Sequence, residues 1–220
     1  MKLGEHNLGI LKALTSINDS MLIEKDDDVF VISPCGSVIG YAALDPQFKE
    51  NLSIYEMKQF LSVLSLFEDP DIVFSDDGKM VTVGSDKQKV RYLLTDESFV
   101  NKGKALTMPE DAEIKFTLPS SVIDKVSKAS DVLGLKYISI SSDGTDIFIG
   151  ACEVDDENAN KYTEKVADGN GTVFNFHWKA AKVKFISADY EVICSSQNIC
   201  EFKSDVVTYW VGMEASSSYG

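Results

Sequence analysis

Two stretches of this chain follow one plan. Pro70 to Gly84 reads PDIVFSDDGKMVTVG, and Lys136 to Gly150 reads KYISISSDGTDIFIG. Each has an alternating strand, a turn closing on Asp-Gly (Asp77-Gly78 and Asp143-Gly144), and a second alternating strand ending in Gly. Asp-Gly between alternating runs favours a tight antiparallel hairpin. Each hairpin also follows a segment of helical periodicity. The helical segments start 24 residues before Gly78 and 25 before Gly144. A matched helix-to-turn spacing is what a duplicated unit leaves in a sequence, although two Asp-Gly hairpins can also coincide in one chain.

Four segments carry the helical period. In 5–17, Leu8, Leu11 and Leu14 recur three apart. In 54–67, Ser53 and Glu56 fit a capping box, and Met57, Phe60, Leu61 and Leu64 form the apolar stripe. In 119–133, Pro119 suits the first turn and Gly134 the C-terminal cap, around Val122, Val126, Ala129 and Leu133. The fourth, 178–184 (WKAAKVK), is short. Between the helices the chain alternates as half-buried strands do, in IKFTL (114–118), TVFNF (172–176), YEVIC (190–194) and VVTYWVG (206–212). Every helix after the first is entered from a strand and left into several strands. The unit is therefore strand–helix–strands, used four times and paired into two similar domains, 1–105 and 106–220. The Gly- and Pro-containing stretch 101–111 is the connector.

Charge is unevenly placed. The chain has 21 Lys and Arg against 35 Asp and Glu, a net charge of −14. The four helical segments hold seven lysines (Lys12, Lys58, Lys125, Lys128, Lys179, Lys182, Lys184) against four acids (Glu5, Glu56, Asp124, Asp131). The acidity lies in strands and turns such as EKDDD (24–28), FEDPD (67–71) and EVDDEN (153–158). An acidic surface repels phosphate, but a wall of lysines on one side focuses field toward a polyanion and holds it without reading bases. Ordinary solvated helix lysines would give the same composition.

Read in order, LKALTSIN (11–18), SIYEMKQFLSVLSLFEDPD (53–71), PEDAEIKFTL (109–118), FNF (174–176), ADYEV (188–192) and YWVGMEASS (209–217) resemble the sliding clamps of T-even-like bacteriophages, cyanophage members included. The segment 53–71 is the most specific; 24–50 and 153–170 match loosely. The fold this resemblance implies is α+β: the DNA clamp fold, two similar domains of two strand–helix–strands units each, with helices on one face of antiparallel sheets. It implies a DNA polymerase processivity factor that is not an enzyme and takes no cofactor. Such a clamp is a homotrimeric ring encircling duplex DNA without sequence preference. An ATP-driven clamp loader opens it, the C-terminal peptide of the replicative polymerase docks on it, and a late sigma-like factor uses it in late transcription.

On that resemblance the seven helix lysines become DNA-channel candidates. Two strands become candidate subunit edges, Lys89, Val90, Arg91, Tyr92 and Leu93 in one and Tyr162, Thr163 and Lys165 in the other. An apolar partner pocket near the connector would use Leu106, Met108, Pro109 and Trp210, with plain core packing the alternative for Trp210.

Searches for chemistry return little. The sequence has no phosphate-loop motif, no G-x-S-x-G and no H-E-x-x-H. Asp26, Asp27 and Asp28 read as a turn rather than a metal cluster, and His177 as a helix-entry residue. The cysteines Cys35, Cys152, Cys194 and Cys200 read as buried reduced thiols, although Cys194 and Cys200 lie six apart on adjacent strand-like runs and could face each other. No apolar run nears the roughly 20 residues of a membrane span, and Glu5 and His6 interrupt any signal-peptide pattern. The expected location is the cytoplasm of an infected bacterium. Two other readings stay open: a phage structural or adhesion protein of duplicated α+β modules, and a small cytosolic hydrolase.

Overall fold

The computed structural model describes all residues except 86, 111 and 157. Asp111, at the end of the expected connector, and Glu157, within the acidic run 153–158, lie outside the described residues. The chain divides into two compact units, Met1–Ala105 and Leu106–Gly220.

The first unit runs α1 (Glu5–Leu14), β1 (Met21–Ile23), β2 (Val29–Ile32), β3 (Val38–Ala42), β4 (Leu52–Ile54), α2 (Met57–Leu64), β5 (Asp71–Phe74), β6 (Met80–Gly84) and β7 (Lys89–Leu93). The second runs β8 (Ile114–Leu118), α3 (Ser120–Leu133), β9 (Tyr137–Asp143), β10 (Asp146–Cys152), β11 (Tyr162–Asp168), β12 (Val173–Lys179), a 3-10 turn (Ala180–Lys182), β13 (Tyr190–Ser195), β14 (Ile199–Lys203), β15 (Val207–Gly212) and β16 (Ser218–Tyr219). Strand–helix–three strands is thus repeated, and the strand pairs within each unit are antiparallel among the described residues.

The pairing shows how two repeats make one domain. In the second unit, β8 belongs to the third repeat but pairs with β13 of the fourth, while β12 of the fourth pairs with β9 of the third. In the first unit, β4 of the second repeat pairs with β1 of the first. Met1 in turn exchanges two hydrogen bonds with Ile72 on β5, its ammonium donating to the Ile72 carbonyl at 2.6 Å and its carbonyl accepting the Ile72 N–H at 2.7 Å. Each repeat lends its first strand to the other.

The opening hairpins are β5–β6 and β9–β10. Their turn glycines, Gly78 and Gly144, have φ of 66° and 93°, the left-handed region glycine enters without steric penalty. Asp77 accepts from the Lys79 N–H and the Ser75 hydroxyl; Asp143 accepts from the N–H groups of Thr145 and Asp146. The glycines ending each second strand answer a different need. A Cβ on Gly84 would sit 2.2 Å from the Gln88 carbonyl oxygen, and one on Gly150 would sit 2.1 Å from that of Tyr162. Both glycines let the outermost strand, β7 or β11, approach closely.

Several expectations are corrected. The fourth helix is a 3-10 turn after a strand, because the segment alternates: Val183 is buried and Phe185 half-buried, while Lys184 is exposed. Phe185 enters a cluster with Trp178, Tyr190, Phe202 and Tyr209, at ring-centroid distances of 4.9 to 6.3 Å. That insertion needs extended chain. His177 accordingly lies inside β12, not at a helix entry.

The Ser53–Glu56 capping box does not form, since Ser53 is a buried residue of β4. Helix α2 is capped from a distance: Asp19 Oδ1 accepts the Lys58 N–H at 2.7 Å, and its carbonyl accepts the Met57 N–H at 2.8 Å. Asp189 does the same for α3, accepting the Ser120 N–H at 2.7 Å; Pro119 is therefore the residue before the helix, and Gly134 closes it at φ 66°. On α3 the buried stripe is Val122, Ile123, Val126 and Ser130, and Leu133 is exposed, because the Ser130 hydroxyl turns inward to the Leu135 carbonyl.

Cys194 and Cys200 are joined as a disulfide between paired positions of β13 and β14, Cα to Cα 4.1 Å, rather than reduced. Cys35 is exposed and Cys152 half-buried, so neither is a buried thiol.

Removing the Asp19 cap should cost about 1 kcal/mol of stability, the usual worth of a capping side chain. Asp19→Ala should lower the urea midpoint with an unchanged slope, and Asp19→Asn should recover most of the loss. An unchanged midpoint for Asp19→Ala would show that the backbone bond to Met57 holds the helix alone.

Candidate nucleic-acid interface and outer strand edges

Each α-helix turns an apolar stripe onto its unit and leaves a polar face in solvent. On α1 the buried residues are Asn7, Ile10, Leu11 and Leu14, and Lys12 is exposed beside Glu5, His6 and Gly9. On α2, Met57, Phe60 and Leu64 are buried, while Lys58, Ser62 and Ser65 share the exposed side at i, i+4, i+7 spacing. On α3, Ser121, Lys125, Lys128 and Val132 make an exposed stripe, flanked by Asp124 and Asp131. Lys12, Lys58, Lys125 and Lys128 therefore stand on solvent faces of true α-helices.

The other three do not. Lys179 is the last residue of β12, Lys182 ends the 3-10 turn, and Lys184 follows in extended chain. With the helix bounds as they fold, the α-helices carry Lys12, Lys58, Lys125 and Lys128 against Glu5, Asp124 and Asp131. The excess of positive charge is smaller than the sequence segments implied, because the fourth segment supplied three lysines.

Lys125 and Lys182 hold ion pairs with acids the sequence could not associate with them. Lys125 Nζ lies 3.1 Å from Glu164 on β11, and the Tyr162 hydroxyl donates to that same carboxylate. The Tyr162 hydroxyl and Lys125 together hold Glu164 below the usual carboxylate range. Lys182 lies 2.7 Å from Glu214, which it holds low in the same way. Lys12, Lys58 and Lys128 have no ion pair among the described residues. A cation already facing a carboxylate is worth less to a phosphate, so these three are the strongest candidates in the α-helices for contacting an anion.

The two candidate edge strands are both outermost. Among the described residues, β7 pairs only with β6, and β11 pairs only with β10. On β7, Lys89, Arg91 and Leu93 are exposed, Leu93 to 74 %. Val90 and Tyr92 point to the helix side, where the Tyr92 ring meets Phe60 at 5.1 Å and its hydroxyl contacts Gln59 and the Glu56 carbonyl. On β11, Thr163 and Lys165 are exposed, and Lys165 pairs with Asp146 at 2.6 Å and Asp168 at 2.9 Å. Each strand thus presents an unpaired backbone row to solvent.

The candidate pocket residues are dispersed in character. Leu106, Met108 and Pro109 are half-buried in chain without regular structure. Trp210 is 6 % exposed in β15, and its indole N–H donates to Glu201 at 2.7 Å. Asp26, Asp27 and Asp28 face different partners: Lys49 for the first, Lys102 for the second, Tyr41 and Gln47 for the third.

No family model matches the chain. Full-length relatives are found among curated phage proteins, each named a sliding clamp. The chain is 25% identical to that of Vibrio phage KVP40, over 98% of this chain and 100% of the relative. It is 25% identical to that of Escherichia phage RB69 and 22% to that of Enterobacteria phage T4, each over 100% of this chain and 99% of the relative. Among solved structures, an A. fulgidus PCNA bound to the C-terminal region of FEN-1 superposes with a TM-score of 0.68 at 13% identity, over 99% of this chain and 98% of that one. A PCNA of Entamoeba histolytica gives 0.62 at 14% identity, over 97% of both chains. These superpositions show the fold: this chain has the architecture of the PCNA-type clamps.

Because Glu164 neutralises Lys125, Glu164→Gln should free that lysine. The variant should bind duplex DNA more tightly, with a salt slope steeper by up to about one phosphate contact. Fluorescence titrations from low to moderate salt read both quantities. An affinity and slope equal to wild type would remove Lys125 from the interface.

Proposed function

We propose that this chain, a full-length relative of the T4-like phage sliding clamps, is itself a phage sliding clamp: a ring that encircles duplex DNA and tethers the replicative polymerase. Whole-length similarity to three phage clamps carries the reading. It favours a clamp over a structural or adhesion module and over a hydrolase.

The ring is a homotrimer, closed by β7 of one subunit adding to β11 of the next. Support comes from their position: each ends its sheet and leaves an unpaired backbone row. Strand addition satisfies those rows and removes two edges from solvent. Lys89, Val90, Arg91, Tyr92 and Leu93 then meet Tyr162, Thr163 and Lys165 across the joint.

Lys12, Lys58 and Lys128 face the DNA, with Lys125 contributing when Glu164 releases it. Lys179, Lys182 and Lys184 stand off the α-helices and play a lesser part. Contacts of this kind are weak and read no bases, which suits a ring that must slide. Retention comes from topology: leaving requires a joint to open. The net charge of −14 disfavours DNA on the outside.

Partners follow from the same reading. The polymerase docks by its C-terminal peptide near Leu106, Met108 and Pro109; the FEN-1 region on the archaeal PCNA is a precedent on that protein for a partner's C-terminal region binding a clamp. A clamp-loader ATPase opens the ring, and a late sigma-like factor shares the docking site. The clamp has no catalytic role and works in the cytoplasm of the infected host.

Light scattering over a concentration series tests ring closure. A species of three subunits that dissociates on dilution is expected, and Arg91→Glu with Leu93→Asp should shift it to monomer. A monomer at every concentration, with or without DNA and loader, would overturn the ring. Reversing Lys12, Lys58 and Lys128 together to Glu should sharply reduce primer-extension processivity while leaving trimer formation unchanged. Unaltered processivity would overturn the DNA-facing assignment.

A further inference from the structure

The segment after β15 folds back over β12, and its contacts describe a binding site. Glu214 N–H donates to the His177 carbonyl at 2.9 Å, and the Glu214 carboxylate pairs with Lys182 at 2.7 Å. Ser217 Oγ accepts the His177 backbone N–H at 3.1 Å. Ser218 and Tyr219 then form β16, opposite Asn175 and Phe174, and the Gly220 N–H donates to Val173 at 3.0 Å. The Tyr219 ring lies parallel to Phe176 at 6.2 Å and near Phe174 at 6.4 Å; both phenylalanines are buried.

His177 fixes the chemistry at the other end. Its ring is 1 % exposed, lies edge-on to Tyr137 at 5.8 Å, and places Nε2 2.8 Å from Ser216 Oγ. Nδ1 is buried with no partner among the described residues. A proton on Nδ1 would leave a buried donor unsatisfied, which costs more than a bare lone pair. Nε2 therefore carries the proton and donates to Ser216, so the site asks for an acceptor oxygen there. Burial also pushes the imidazole below its ordinary range and keeps it neutral. Ser216 itself is exposed, lying on the surface over a fixed, buried donor.

We propose that the edge of β12 on which β16 lies is a strand-addition site reading a Ser-Ser-x-aromatic segment, and that residues 214–220 are its resident occupant, displaceable by an extended partner-protein segment of the same pattern. The chain's own tail is the template. An acceptor hydroxyl meets His177 Nε2, a second hydroxyl meets the His177 N–H, and an aromatic ring two residues on covers Phe174 and Phe176. Backbone pairing gives such a site affinity, and the side-chain positions give it selectivity. The occupant is held by a two-residue strand, a short cooperative element that opens locally at small cost.

The test uses the full chain and a fluorescein-labelled peptide, Ala-Ser-Ser-Ser-Tyr-Gly. Ser216→Ala with Tyr219→Ala loosens the resident segment without touching the β12 side of the site. The peptide should bind this double variant at least about tenfold more tightly than wild type, and a peptide with Ala for Tyr should lose about tenfold, as expected for an aromatic anchor. In wild type, millimolar peptide should accelerate hydrogen exchange at the Gly220 amide, which bonds Val173. Equal binding to variant and wild type, or indifference to the Tyr-to-Ala change, overturns the proposal. Should the variant fail to fold, the wild-type exchange measurement decides alone: an unchanged Gly220 rate overturns it.

Discussion

The strand exchange between repeats is the constraint on which the rest of each unit depends. A helix with three following strands has one apolar face and no closed sheet. Lending its first strand to a sister repeat closes both: β12 completes β9–β10–β11, and β8 completes β13–β14–β15. The first unit repeats this with β4 on β1 and Met1 on Ile72. The helices are placed as a by-product, since each follows directly from an exchanged strand and must lie over the sheets that the exchange joins.

The caps obey the same rule. Asp19 follows α1 of the first repeat and caps α2 of the second; Asp189 precedes β13 of the fourth repeat and caps α3 of the third. Helices α2 and α3 each start on a carboxylate from the sister repeat. Helix position, and with it the position of Lys58 and of the Lys125 and Lys128 stripe, is therefore tied to the exchange by hydrogen bonds as well as by packing. The outermost strands are the complement of this arrangement. Exchange satisfies the inner edges and leaves β7 and β11 with open rows, each brought close to its neighbour by a glycine, Gly84 or Gly150.

Much of this was legible in the residues, and the misses have physical reasons. IKFTL is β8 residue for residue, because strict alternation ended by Pro119 leaves no other reading. The two hairpins were visible because Asp-Gly supplies both the left-handed backbone and the carboxylate that caps the turn. WKAAKVK misled because its alanines and lysines suit a helix locally, whereas Trp178 and Phe185 both belong to one aromatic cluster that only extended chain can fill. Ser53–Glu56 misled because a capping box is a local pattern, while the true cap, Asp19, lies 39 residues from Lys58. The lysines were legible as surface positions. Their pairing was not, since Glu164 stands 39 residues from Lys125 on a strand whose register the sequence does not state.

The reciprocal contact between Met1 and Ile72 has a consequence for the order in which the molecule can be made. During synthesis the leading residues emerge first, yet their partner strand is about seventy residues behind them. At a usual elongation rate of about 5–20 residues per second, the first turn of chain waits several seconds before its sheet exists. In that interval Met1 has no native partner strand. A fold built on exchange is thus assembled late and all at once, and a nascent chain of this type is exposed for longer than one whose neighbours in sequence are its neighbours in space.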